Sequence, residues 1–326
     1  MGEFPARIVA ADFVTPPEFA DWQLAGNGAG RIGGARFALE ALVADSLRES
    51  DCTRGASAPP IAGATRLTNL YEQVPLRVMS LNLGATEPTL VYLLNPTNGL
   101  MDGDAHRIEI HAGPGTRSVV TGQSATRIHP CLNGFCTQQW KLAVADDAIL
   151  VVLPGPAIPF AGCRFFQRIE IDLGKNAQLI WSDIWFAGRY ARHDASERFR
   201  FDRIVQEMLV RREGHLVYRD RFCWHGPWNE EAARWHFGAA PAAGMLFATG
   251  SHPSEELAII GVSRVGAFTT AAGDTCCRWT GSAAAVIQAV VGSSLRLASA
   301  MTKGAAHQPW LVGGNHLART HWFDVI

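Results

Sequence analysis

Two stretches carry side chains that could do chemistry. Residues 129–136 read HPCLNGFC and set His129 beside Cys131 and Cys136. Imidazole and thiolate are ligands for zinc, copper or nickel. The spacing matches no standard zinc knuckle and no matching second pair follows, so a loop with incidental thiols is the preferred reading. The second stretch is 177–186, where Asp183 falls on the same face of a period-two strand as Leu179, Trp181 and Trp185. A carboxylate among large apolar groups must be paired, hydrogen-bonded or protonated. An ion pair with Arg189 is the simplest structural account.

A third feature runs from Asn95 to Thr126. A turn rich in Asn, Pro and Gly ends on Gly103-Asp104, an alternating strand follows, and a Gly-Pro-Gly turn leads into Thr121, Gln123, Ser124 and Thr126. These polar residues lie on both faces of a strand, so some enter the interior and need partners or water there. No Gly-x-Ser-x-Gly elbow, Gly-Lys-Ser/Thr phosphate loop or His-Glu-x-x-His helix is present. GAGRIGG at 28–34 resembles a dinucleotide-binding pattern but lacks a clear preceding strand and following helix. The residues alone therefore favour binding or assembly over catalysis.

The elements that must position these groups read as strands. Alternation predicts strands over 35–43 and 163–173, the latter placing Phe165, Gln167, Ile169, Ile171 and Leu173 on one side. A short strand is expected at 73–78, and the apolar run 148–153 reads as a buried strand ended by Pro154-Gly155-Pro156. Residues 203–222 fit a hairpin turning at Glu213-Gly214 better than a helix. Residues 225–241 read as an irregular connection, and 258–266, 276–279 and 284–291 as short apolar runs. Ser293 is placed as the cap of a helix carrying Leu295, Leu297, Ala298 and Met301.

Composition narrows the function class. With Lys+Arg 29 against Asp+Glu 30, the chain lacks the electrostatic signature of a nucleic-acid or anionic-membrane binder. Seven cysteines, an odd number in a chain of 326 residues, suit a reducing compartment better than a disulfide framework. No stretch approaches the ~20 apolar residues of a membrane span, so a cytoplasmic protein is expected.

Read in order, QVPLRVM (73–79), NPTNGLMDGD (95–104), VVTGQSATRI (119–128), LPGPAIPFAGCRFFQRIEIDL (153–173), WSDIWFAGR (181–189) and ERFRFDR (197–203) resemble the urease accessory protein UreD family, also called UreH. The resemblance covers about 63–310 and implies a mainly β fold: a two-layer, helix-like winding of many short β-strands with one or two short α-helices. It implies a single domain over 1–326, with 46–64 and 225–255 as loop insertions. The function implied is that of a non-enzymatic urease maturation chaperone. Such a scaffold binds apo-urease and UreF, and through UreF the GTPase UreG, in a complex that can pair as a dimer of heterocomplexes.

In that reading nickel is a transient cargo, and GTP belongs only to the partner GTPase. The resemblance further implies a water-filled passage with Asp104, Asp183 and Glu197 as nickel contacts and Thr121, Gln123 and Thr126 lining it. Gly99, Gly103, Pro159, Gly188 and Arg189 fall in the family's structural motifs. The sequence departs from the pattern at Asn98-Gly99, where Gly-Gly is usual, at Asp183, where glutamate is common, and at Ser196 before Glu197. Two rivals are a β-solenoid carbohydrate-active enzyme with paired carboxylates in an open cleft and a similar scaffold serving a different metalloenzyme.

Overall fold

The computed structural model describes residues 7–22, 24, 31–42, 64–82, 87–190, 197–252 and 262–301. The chain alternates between two open sheets as it advances. Strands β1 (Ile32–Ala41), β2 (Thr65–Gln73), β5 (Ala105–Ala112), β8 (Cys136–Val144), β11 (Arg164–Leu173), β13 (Arg203–Arg212) and β14 (His215–His225) form the first sheet, in the order β14-β13-β11-β8-β5-β1-β2. The second contains β3 (Arg77–Leu81), β4 (Thr89–Leu94), β6 (Arg117–Gly122), β9 (Ile149–Leu153), β12 (Gln178–Phe186), β15 (Ala242–Ala248), β16 (Val262–Thr269) and β17 (Thr275–Gly281), in the order β16-β17-β15-β12-β9-β6-β4-β3. Short strands β7 (Thr126–Ile128) and β10 (Pro156–Pro159) attach beside β12. From β4 to β13 each turn of the winding gives one strand to each sheet, and so like strands stack in parallel. The mainly β, two-layer winding expected from the sequence is the observed architecture.

Corner residues make the winding regular. Gly115, Asp147 and Asn176 each hold a positive φ, at 66°, 57° and 57°, a region that Asn, Asp and Gly tolerate best. Neighbouring corners bond to one another: Gly115 N–H donates to the Asp146 carbonyl and Asp147 N–H to the Lys175 carbonyl.

The two sheets differ in pattern because they differ in burial. Ile108, Trp140, Ile169 and Met208 of the first sheet meet Val120, Val152, Trp181 and Phe247 of the second in an apolar core. The first sheet's other face bears ion pairs, among them Arg168 with Glu170 and Glu207, so its strands alternate. The second sheet is covered on its far side too, which is why β9 reads ILVVL without interruption. That cover is α2 (Ala283–Met301), whose Val286, Ile287, Val290 and Leu297 are fully buried. Gly244 lets it approach: a Cβ there would lie 2.7 Å from Val290 Cγ2 and 2.8 Å from Val286 Cγ1.

Several local expectations are corrected. The run 284–291 is helical, and Ser293 sits buried inside α2 rather than capping it. Helical spacing of the β-branched residues, together with the Ala-rich ends, outweighs their strand preference. α2 is also apolar enough to cross a membrane, at 19 residues and mean hydropathy 1.4, although half of it is buried within this fold. Of 225–255, the described residues 225–252 are not a loop: they hold α1 (Glu230–Phe237), capped by Asn229, and β15, which pairs with both β12 and β17. The hairpin reading of 203–222 holds as β13 and β14, turning on Glu213 and Gly214 at positive φ. All of 46–64 except Ala64, and part of 258–266, lie outside the described residues.

Candidate functional site

The interior of the winding carries one polar row. His106 on β5, Gln138 on β8, Gln167 on β11 and Gln206 on β13 are consecutive cross-strand partners. Each lies two residues before an inward apolar group of the same strand, namely Ile108, Trp140, Ile169 and Met208, so all four share the face turned to the second sheet. Two residues on the other side of the row stand Cys136, Phe165 and Ile204, which belong to a separate apolar cluster. The row is thus an amide and imidazole belt between two dry regions.

Asp183 on β12 meets this belt from the opposite sheet. Its Oδ1 accepts from Gln167 Nε2 at 3.1 Å, and its Oδ2 from Gln206 Nε2 at 3.0 Å and Trp181 Nε1 at 2.7 Å. Trp185 Nε1 donates to Gln206 Oε1 at 3.2 Å and Trp140 Nε1 to Gln138 Oε1 at 3.3 Å, which fixes those two amides' orientation. Three donors leave part of the carboxylate's capacity of about four lone-pair sites unused. Burial pushes the Asp183 carboxyl up from 3.8 to about 6, and the Trp181, Gln167 and Gln206 hydrogen bonds only partly oppose it.

The expected Asp183–Arg189 ion pair is absent. Arg189 is held by Glu197 in a two-pronged contact and lies over the Phe160 ring at 4.2 Å. The two residues close the corner around Gly188, φ 103°, where a Cβ would lie 3.1 Å from the Pro159 carbonyl oxygen. Glu197 therefore serves a corner clasp and is not joined to the belt.

Asp104 is likewise a clasp. Its Oδ1 accepts Arg31 N–H and its Oδ2 accepts Met101 N–H, both at 2.8 Å, which ties the 101–104 turn to the strand leading into β1. Burial raises its carboxyl above the ordinary range, and the two backbone N–H groups pull it back. Its neighbour Asp102 accepts the N–H groups of Leu132, Asn133 and Gly134 and so binds the 129–136 loop to the same turn. Gly103 holds φ 80° and Gly99 φ 117°; a Cβ on Gly99 would collide with the Arg127 carbonyl oxygen.

Gln123 and Thr126 line a cavity of about 60 Å³ between the sheets, together with Asn95, Gln138, Trp140 and Pro154. Gly122 and Pro154 supply little side chain there, leaving room for water beside Gln138. The cavity thus joins the 95–126 segment to one member of the belt. Thr121 is fully buried but is in phase with Val119, whose cluster packs under α2, and so it faces away from the cavity.

His106 ends the belt opposite Asp183. It is fully buried, neither ring nitrogen has a hydrogen-bond partner, and burial lowers its pKa from 6.5 to about 4. The imidazole is therefore neutral at physiological pH. His106, Gln138 and Gln206 escape a reading by motif. Their signal is one polar residue in phase with an inward apolar run, repeated on each strand.

His129 does not join Cys131 and Cys136. Its ring lies 3.0 Å from the Asn98 carbonyl oxygen and packs against Phe160, whereas the two thiols turn inward. Among the described residues no group of three His, Cys, Asp or Glu side chains is placed to hold a metal ion.

The sequence profile of the UreD urease accessory protein family matches residues 56–311. Urease accessory protein UreD 2 of Synechococcus sp. (strain JA-3-3Ab) is 39% identical over 140 residues, covering 43% of this chain and 49% of that protein. UreD of Synechococcus sp. (strain JA-2-3B'a(2-13)) is 32% identical over 192 residues, 56% of this chain and 68% of that protein. UreH of Helicobacter pylori (strain J99) is 33% identical over 130 residues, 40% and 48% respectively. The first and third matches thus span about half of each relative's length. The relatives are named accessory proteins, not enzymes.

Proposed function

Because the chain belongs to the UreD urease accessory protein family, we propose that it is a maturation scaffold that docks apo-urease and UreF and lets nickel move along its interior belt. UreG joins through UreF, and GTP is used only there. The observation that carries the passage is the row His106–Gln138–Gln167–Gln206 ending on Asp183, between two apolar clusters and open at Gln138 to a cavity with room for water. Amide oxygens, a neutral imidazole and one carboxylate suit a divalent cation that must bind and leave again, because few charged ligands means weak, exchangeable coordination. The docking role is supported by Trp235 on α1, a large apolar side chain 81% exposed.

The test uses Asp183→Asn in cells co-expressing urease structural subunits, UreF and UreG. Pull-down with apo-urease and UreF should match the unmutated chain, while nickel per urease active site falls by about tenfold. Failure of the unmutated chain to retain either partner would sink the scaffold reading. Full nickel loading with Asp183→Asn would sink the passage alone. Asp104 is the poorer site for this test, since its carboxylate fastens backbone and its loss acts on folding.

A further inference from the structure

The thiols of the 129–136 loop are not scattered. Cys131 and Cys136 each place Sγ 3.5 Å from the same acceptor, the Arg164 carbonyl oxygen, and Cys163 is packed in the same cluster. The backbone between them is held by two side chains. Asp102 accepts from Leu132, Asn133 and Gly134, and Arg164 Nη1 donates to the Gly134 carbonyl at 3.1 Å. Two sulfurs five positions apart are thereby kept together in the folded chain, which neither their burial nor the nickel reading requires.

They are also unequal. Cys131 lies between exposed Pro130 and Leu132, the latter 83% exposed, and it retains 4% exposure itself, whereas Cys136 is fully enclosed at the start of β8. A hydrogen bond between the Cys136 and Cys131 thiols joins the two directly. An attacking thiol near the surface and a resolving thiol behind it is the arrangement of a two-cysteine oxidation site.

We propose that Cys131 and Cys136 form a dithiol–disulfide couple oxidised by a hydroperoxide. The Cys131 thiolate attacks one peroxide oxygen, the O–O bond breaks, and the leaving hydroxide takes a proton to become water (an alcohol, from an alkyl hydroperoxide). Cys131 is left as the sulfenic acid. The Cys136 sulfur then attacks the Cys131 sulfur; its proton and the departing hydroxyl leave as water, and the S–S bond forms. Two thiols and one hydrogen peroxide give one disulfide and two waters. A small oxidant is required because the entrance at Cys131 is narrow.

Trypsin places both cysteines in one peptide, Ile128–Lys141, and Cys163 in the next, which ends at Arg164. The full reduced chain is treated with hydrogen peroxide under native conditions, its remaining thiols are alkylated, and the digest is weighed. The expected result is Ile128–Lys141 lighter by two hydrogens and without alkyl label, with Cys163 fully alkylated. The Cys136→Ser variant should stop at a Cys131 sulfenic acid that dimedone traps. Three results would overturn the proposal: a cross-link to the Cys163 peptide, higher oxides on Cys131 while Cys136 remains alkylatable, or both thiols intact while half-buried Cys223 is oxidised. The unmutated peptide decides even where Cys136→Ser fails to fold.

Discussion

Replacing Asp183 with Asn should change the pH dependence of stability in a direction fixed by the geometry. The folded carboxyl sits at about 6 against an ordinary 3.8. The folded state therefore holds more protons than the unfolded state between those values, and stability is lost as pH rises through that window. The full difference corresponds to about 3 kcal/mol. His106 acts oppositely: its folded pKa of about 4 lies below 6.5, so stability rises by about 3 kcal/mol over nearly the same range. In the unmutated chain the two slopes largely cancel. They are separable because Asp183, on β12, bonds the belt only at Gln167 on β11 and Gln206 on β13, whereas His106 is on β5, two strands or about 10 Å from β11.

Urea unfolding of both proteins, followed by tryptophan fluorescence at steps from pH 4 to 7.5, reads this out. The unmutated chain should show little slope from this pair. The Asp183→Asn variant should gain about 3 kcal/mol relative to it between pH 4 and 7, since only the His106 contribution remains. The same titration predicts that the belt attracts cations well above pH 6 and poorly below it. A difference between the two proteins that stays level across this range would refute the reasoning. The carboxylate would then be paired with a cation or fully hydrated.

Two other substitutions probe the surrounding structure. His106→Leu removes two orphaned buried ring nitrogens and should stabilise the chain by about 1–3 kcal/mol below pH 6, visible as a raised unfolding midpoint at pH 5. Gly99→Ala brings a Cβ against the Arg127 carbonyl at a backbone angle only glycine holds easily. It should lose about 2 kcal/mol or more, measured by denaturation, and expose the 95–104 amides to hydrogen exchange.

The sequence alone determined the class of fold and much of its local form. Alternation in 163–173, the unbroken run at 148–153 and the turn at Glu213-Gly214 specify half-buried strand, doubly buried strand and hairpin, because side-chain period and turn chemistry are local properties. It also marked Asp183 as anomalous, since a carboxylate in phase with two tryptophans is visible in one strand. The C-terminal part of α2 is legible, but its start is not, because helical and strand burial patterns are hard to tell apart in a run of Ala, Val and Ile; β15 lies in a stretch that reads as loop.

Only the tertiary structure decided who meets Asp183. Gln167 and Gln206 are 39 residues apart yet become neighbours, because parallel stacking sets the register between β11 and β13. The same stacking lines up His106 and Gln138, while Arg189 is held by Glu197 at a corner. Register between distant strands is a collective outcome of the winding and its corners, and no single segment encodes it. Asp183 was legible as a buried acid in one strand; that it closes a belt of amides was not.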